Sequence, residues 1–254
     1  MPRLSIIIPC KNEEENLPKL LASIKKQTFT DYEVIVADAH SADRTREFAE
    51  RAGARVVEGG MPGPGRNKGA LQAKGEYLLF LDADVVLPAD DYLAGVISEF
   101  DTKKADIATC TVIPLSTNPI DHVFHGVYNA YVKATERVRP HAPGFCILVR
   151  RQTHEGIKGF DEDVVFAEDM DYAQRAARKG SKFRVLRHNP IAASVRRFEK
   201  DGRLGIAIKY VFAELHMLFK GPFKNEIPFE YEMGGEEQGR KGVRASGRKQ
   251  TQKK

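Results

Sequence analysis

Two aspartates one residue apart, Asp82 and Asp84, follow directly on the apolar run "YLLFL". Residues two apart in an extended chain lie on one face, so the two carboxylates point the same way. Carboxylates beside buried apolar sequence are costly unless paired, hydrogen-bonded or bound to a metal. Hard oxygen ligands suit Mg²⁺ or Mn²⁺, which are commonly held by one or two carboxylates together with a substrate diphosphate. The plain alternative is a pair of solvated carboxylates at the start of the next helix.

Other chemistry-bearing residues recur at intervals. Lys11 and Glu13 follow "LSIIIP", Asp38 closes "YEVIVAD", and Arg66 and Asn67 follow the glycine-proline stretch "GGMPGPG". Glu168 and Asp169 open "EDMDYAQRAARKG". They read either as favourable charge at a helix N-terminus or as a general base and its neighbour. His188, after "KFRVLR", reads as a strand-end residue: a third metal or diphosphate ligand, or a loop histidine bonded to backbone. Arg196, Arg197 and Arg203 suit a diphosphate or an acceptor phosphate, or solvated charge paired with Glu199.

The elements that must position these groups follow from periodicity. "LSIIIP" (4–9) reads as a buried strand stopped by Pro9, and Asn12 as the cap of a helix with Glu15 completing a capping box. "YEVIVAD" (32–38), "ARVVEG" and "EYLLFLD" (76–82) read as further strands, separated by helices. The stretch 59–65 reads as a flexible loop leading into a helix over about 66–74; it has neither Gly-x-Gly-x-x-Gly spacing nor a Walker Lys-Ser/Thr. This alternation predicts an α/β fold with a mostly parallel sheet flanked by helices. In such sheets ligands bind beyond the carboxyl ends of the strands, where Lys11, Glu13, Asp38, Asp82 and Asp84 fall. Further strands are expected around "ADIATCTVI", "GFCILVRR" and "KFRVLRH", with helices over 168–180 and 203–220, the last amphipathic.

Three separated segments carry a resemblance: 4–45, then "GRNKGALQAKGEYLLFLDADVVLP", then "GFDEDVVFAEDMDYAQRAARKG". Together they resemble the family 2 glycosyltransferases, inverting enzymes of GT-A fold that use nucleotide-diphospho-sugars. The resemblance spans roughly residues 3–187. It implies that Pro9, Lys11 and Glu13 line the nucleotide pocket and that Asp38 holds the base or ribose. It implies that Arg66 and Asn67 lie near the donor, that Asp82 and Asp84 bind Mg²⁺ or Mn²⁺, and that Asp169 of the Glu168-Asp169 pair is the catalytic base. Family members often carry a second Asp after the one matched by Asp38; here Ala39 stands there, leaving the base open. The function implied is transfer of a hexose to an acceptor hydroxyl or a lipid phosphate. The acceptor class (glycan, small molecule or lipid phosphate) is open. Two alternatives stand beside it: a catalytically dead sugar-nucleotide-binding scaffold, and a phosphatase of haloacid-dehalogenase type, suggested by "DADVV" alone.

Bulk properties bound the rest. Of 40 Lys/Arg and 35 Asp/Glu, seven and two fall in 234–254, leaving 33 of each in 1–233. The body is therefore neutral and the end basic, which argues against a nucleic-acid partner. The expected organisation is a GT-A-like domain over 1–200, an amphipathic extension over 201–233 and a disordered basic tail over 234–254. Three widely spaced cysteines fit a reducing compartment, and "MPRLSIIIPCKNEE" starts a strand without a signal-peptide layout. The expected location is cytoplasmic, with a peripheral membrane contact through 203–220 and the tail as one reading and packing on the domain or a dimer as the other.

Overall fold

The structure, a computed structural model, describes residues 1–224; the expected tail over 234–254 and the end of the expected extension lie outside them. One eight-stranded sheet runs through the protein in the order β3-β2-β1-β4-β7-β6-β8-β5. Its strands are β1 (Leu4–Cys10), β2 (Tyr32–Asp38), β3 (Arg55–Glu58), β4 (Tyr77–Phe80), β5 (Val85–Val86), β6 (Ile107–Pro114), β7 (Ile147–Arg150) and β8 (Phe183–Ala193). The pairings β1–β2, β1–β4, β2–β3 and β6–β8 are parallel; β7 is antiparallel to both β4 and β6, and β5 to β8. The sheet is thus mixed but mostly parallel, as expected. The helices are α1 (Leu17–Lys25), α2 (Thr45–Arg51), α3 (Pro62–Gln72), α4 (Tyr92–Thr102), α5 (Pro119–Thr135), α6 (Arg151–Gly156), α7 (Glu168–Arg178), α8 (Arg196–Asp201) and α9 (Arg203–Phe219). The division expected at residue 200 falls inside α8.

Side-chain alternation along the strands divides two cores. Leu4, Ile6 and Ile8 of β1 and Leu79 of β4 join Leu17, Leu20 and Phe100 on one face. Ile7, Leu78 and Phe80 join Ala70 of α3 and Tyr172, Ala173 and Ala176 of α7 on the other. Gly69 lets α3 approach β1 closely, since a Cβ there would overlap Ile7.

Several local expectations are corrected. β1 does not stop at Pro9, which pairs in register with Ala37. Arg3 and Ile7 turn their carbonyls to β4 and Cys10 turns its carbonyl to β2. Pro9 therefore turns its missing N–H toward β4, which has already ended. Asn12 caps no helix. It adopts φ 52°, receives a bond from Ala42 N at Oδ1 and donates its own N–H to Ser41 Oγ. It thereby ties the loop after β1 to the loop after β2. The stretch 59–65 is no open loop, because α3 begins at Pro62, whose ring suits a first helical position. β8 runs past His188 to Ala193: residues 187–190 bulge out where the register with β6 shifts between Cys110 and Val112, and Pro190 is tolerated there.

One buried group sets an acid limit on the fold. His154 Nδ1 lies 2.8 Å from the Tyr172 hydroxyl, in a cluster with Phe80 and Phe160. Burial pushes its pKa down to about 4. Its neutral form is favoured only in the folded state, so this contribution is complete above the unfolded value near 6.5 and is lost as pH falls toward 4. The difference corresponds to ~3 kcal/mol. Urea midpoints at pH 7 and pH 4.5 are expected to diverge less in His154→Gln than in the parent; equal divergence would remove His154 from the account.

Candidate active site

The carboxyl ends of β1, β2 and β4 meet the N-terminal end of α7 and the start of α8, and at that rim two arginines sort the carboxylates. Arg66, on α3 and only 2% exposed, donates from Nη2 to Asp82 Oδ1 at 2.8 Å and from Nη1 to Glu168 Oε1 at 2.6 Å. Burial alone would lower its pKa, but Asp82, Glu168 and Asp169 hold the guanidinium firmly charged. Arg196, at the start of α8, grips Glu13 through both Nη atoms at 3.0 and 2.6 Å and reaches Asp84 Oδ2 from Nε at 3.1 Å. Residues 13, 66, 82, 84, 168 and 196 thus form two neighbouring charge clusters from distant parts of the chain.

The clusters are not electrically equal. Asp84 is pushed up to about 6 because it is buried and faces Asp82; Arg196 opposes this only in part. Glu168 is also raised by burial, against the pull of Arg66. Asp169 is half-buried, and its Oδ2 receives the N–H of Gly144 at 2.6 Å. A Cβ on Gly144 would overlap the Arg66 guanidinium, so this position admits the close approach of the 141–146 segment only as glycine. Ala167, just before Glu168, holds φ 57°, a left-handed conformation costly for a residue with a Cβ. It turns the chain so that both acidic residues enter the first turn of α7 at the rim.

Asp38 is 4% exposed. Its Oδ2 takes a bond from Ser41 N, while Oδ1 is buried without a partner. Lys11 is exposed beyond β1, and Pro9 lies against the start of α3 next to Gly65. Arg197 follows Arg196 on α8 and contributes to the field at Asp84 and at Tyr210.

Three expected site residues are placed elsewhere. Asn67 points away from the carboxylates: its amide donates to Phe160 O and Glu162 and accepts from Phe160 N, which pins the 159–162 turn. His188 lies in the β8 bulge, its side chain 81% exposed, with Nδ1 3.2 Å from Glu99 of α4. It is not grouped with Asp82 and Asp84. Arg203 is committed to Asp121, which is fully buried, at 2.7 Å. Sequence reading missed Gly144. The Pro143-Gly144 pair marks a turn, but nothing local connects it to Asp169.

Among the described residues no set of three or more His, Cys, Asp or Glu side chains is arranged to hold a metal ion. Asp82 and Asp84 bring two carboxylates to the rim, each in an ion pair with an arginine.

Known proteins resemble the chain in both sequence and fold. Over 220 residues it is 26% identical to Uncharacterized glycosyltransferase EpsJ of Bacillus subtilis, covering 73% of this chain and 59% of that one. Over 107 residues it is 36% identical to a GalNAc(5)-diNAcBac-PP-undecaprenol beta-1,3-glucosyltransferase of Campylobacter jejuni, covering 39% of this chain and 33% of that one. The chain therefore spans less than two thirds of these relatives' length. Among solved structures, the mannosyltransferase PcManGT from Pyrobaculum calidifontis, in complex with GDP-Man and Mn²⁺, superimposes with a TM-score of 0.67 at 24% identity, over 84% of this chain and 61% of that one. The fold is accordingly GT-A-like. The family model for Glycosyl transferase family 2 matches residues 5–157, and this removes the dehalogenase-type phosphatase reading. The match runs through β1, β2, α3 and the two rim aspartates to the end of α6, and the chain belongs to glycosyl transferase family 2.

Proposed function

We propose that this protein transfers a hexose, with inversion, from a nucleotide-diphospho-sugar to an acceptor hydroxyl, in a reaction dependent on Mg²⁺ or Mn²⁺. The observation that carries the reading is the convergence of Asp82, Asp84, Glu168 and Asp169 on one rim, beside the unpartnered oxygen of Asp38. Asp38 and the loop after β1 would receive the nucleoside. Ala39 leaves its base open, and the mannosyltransferase of the structural comparison was solved with GDP-Man. Asp82 and Asp84 would hold the cation, which when bound supplies Lewis-acid neutralisation of the diphosphate. The donor set fits such an ion, because Mg²⁺ and Mn²⁺ are commonly bound through one or two carboxylates plus substrate phosphates.

Asp169 would take the proton of the acceptor hydroxyl. The acceptor oxygen then bonds to the anomeric carbon from the face opposite the diphosphate, the bond from that carbon to the diphosphate oxygen breaks, and the nucleoside diphosphate leaves. One displacement inverts the configuration. Glu168 keeps Arg66 charged and placed between Asp82 and the base. Arg196 and Arg197, from the other side, would meet the diphosphate. The undecaprenol in the name of the Campylobacter relative supports a lipid-linked acceptor over a small soluble one.

The test is a thermal-shift screen of nucleoside diphosphates and their sugars, with and without Mn²⁺. A ligand bound only by the folded state raises Tm by mass action, ~3 kcal/mol at a hundredfold excess over Kd. A cation-dependent shift is expected in the parent and is expected to vanish in Asp82→Asn/Asp84→Asn. Cation-dependent release of free sugar separates an enzyme from a binding scaffold. No shift with any nucleoside diphosphate would sink the reading.

A further inference from the structure

Helix α9 is apolar on two opposite sides. Ile206, Ala213 and Met217 pack inward, the last two against Phe166, Met170 and Phe223. Leu204, Ile208, Val211, Leu215, Leu218 and Phe219 are each more than half exposed. Their spacing of three and four residues draws one stripe along the helix, facing away from the protein. A surface helix ordinarily turns polar residues outward; a contiguous exposed apolar face of this kind marks an interaction site. Helix α5 lies alongside, joined to α9 by Asp121–Arg203 near the start of both helices, while Arg139, in the turn after α5, reaches Glu214. It exposes Ile120, Val123 and Val127, again at helical spacing.

The exposed charges around this face are mostly basic, although Glu199, beside Arg203 at the start of α9, is acidic. α5 and α9 each contain a single carboxylate, Asp121 and Glu214. Asp121 is fully buried on Arg203, and Glu214 faces His141 and Arg139. Lys133 and Arg137 at the end of α5 and Lys220 at the end of α9 are exposed. The sequence beyond the described residues, 225–254, adds seven Lys/Arg against five Asp/Glu. Two copies of such a face would bring mostly like charges together, which disfavours helix pairing. An anionic bilayer complements both the stripe and its rim: an amphipathic helix lies in the interface plane, and nearby cations add electrostatic attraction.

We infer that the outward face of α9 and α5 docks the protein on an anionic lipid surface. α8 joins α9 through Gly202 and carries Arg196 to Glu13 and Asp84, so the docked face adjoins the candidate site. An acceptor embedded in the membrane would be met there. That last step, alone, rests on the transfer reading.

The full-length chain is tested by co-sedimentation with vesicles of phosphatidylglycerol and phosphatidylcholine, and with phosphatidylcholine alone. The parent is expected to sediment with the anionic vesicles. The outward-facing Ile208→Ser/Val211→Ser/Leu215→Ser variant is expected to lose about tenfold or more in partitioning, because the buried apolar area and the surface charge act together. Circular dichroism and the nucleoside-diphosphate thermal shift check that the variant stays folded. A loss of vesicle binding with the thermal shift retained supports docking. A parent that stays in the supernatant, or a triple variant that sediments like the parent, overturns it. A parent dimer converted to monomer by the three substitutions overturns it too, and assigns the face to a second copy. Absence of any donor shift in the parent would sink the transfer reading and leave the vesicle result standing by itself.

Discussion

Asp169→Asn is expected to lower transfer by ~10²–10⁴, the usual worth of a positioned general base, while donor binding stays within a few fold of the parent. Two features of the site separate these effects. Asp169 makes no ion pair with either bridging arginine; its Oδ2 accepts from Gly144 N, and an asparagine carbonyl can keep that bond. The arginine bridges to Asp82, Asp84, Glu13 and Glu168 are untouched, so the surroundings of the donor survive. What is lost is the capacity to take a proton. Glu168→Gln should behave differently. Glu168 is spent on Arg66 and only 15% of its side chain is exposed, so its loss should disturb donor affinity and stability along with rate. Steady-state kcat and KM for both variants decide the matter. If Asp169→Asn turns over near the parent rate while Glu168→Gln does not, the two roles are exchanged.

Much of this arrangement is local enough to read from the chain. β2 and α7 follow from periodicity, over 32–38 and 168–180. The rim location of Asp38, Asp82 and Asp84 follows from their place at strand ends. What escaped is what depends on partners far away. Pro9 reads as a strand stop only if both neighbours of β1 are assumed to continue; β4 ends first, so the proline costs nothing. Asn12 has the composition of a helix cap, but a contact 30 residues away, with Ala42, wins. His188 follows an alternating run that looks complete, and only the register shift against β6 carries the strand past it. Asn67 stands next to Arg66, yet helical geometry turns adjacent residues about 100° apart, so one meets the carboxylates and the other the 159–162 turn. Arg196 reads as phosphate-seeking, and the family resemblance puts Arg66 near the donor. Their structural duty, each bridging two carboxylates, was not legible.

That duty makes Arg66 the residue whose loss should cost the fold most. It is nearly inaccessible and stands between Asp82 and Glu168, with Asp169 close behind. Arg66→Met removes a charge and leaves the largely buried Glu168 facing the more exposed Asp82 without a counter-ion. Breaking a buried pair by deleting one partner typically costs ~3–5 kcal/mol, a large part of the stability of an ordinary domain. Glu168 reports the same strain: burial already raises it with Arg66 present, and without Arg66 it should bind protons more readily. The variant should therefore recover part of its stability as pH is lowered, since its folded state then holds more protons than the unfolded one. Glu168→Gln in the same chain should restore part of it at neutral pH by removing one stranded charge, with a coupling of about 1 kcal/mol or more between the two positions. Urea unfolding of the parent, both single variants and the double variant closes that cycle. Additive effects, or an Arg66→Met midpoint equal to the parent's, would mean that Arg66 is not what holds these carboxylates together.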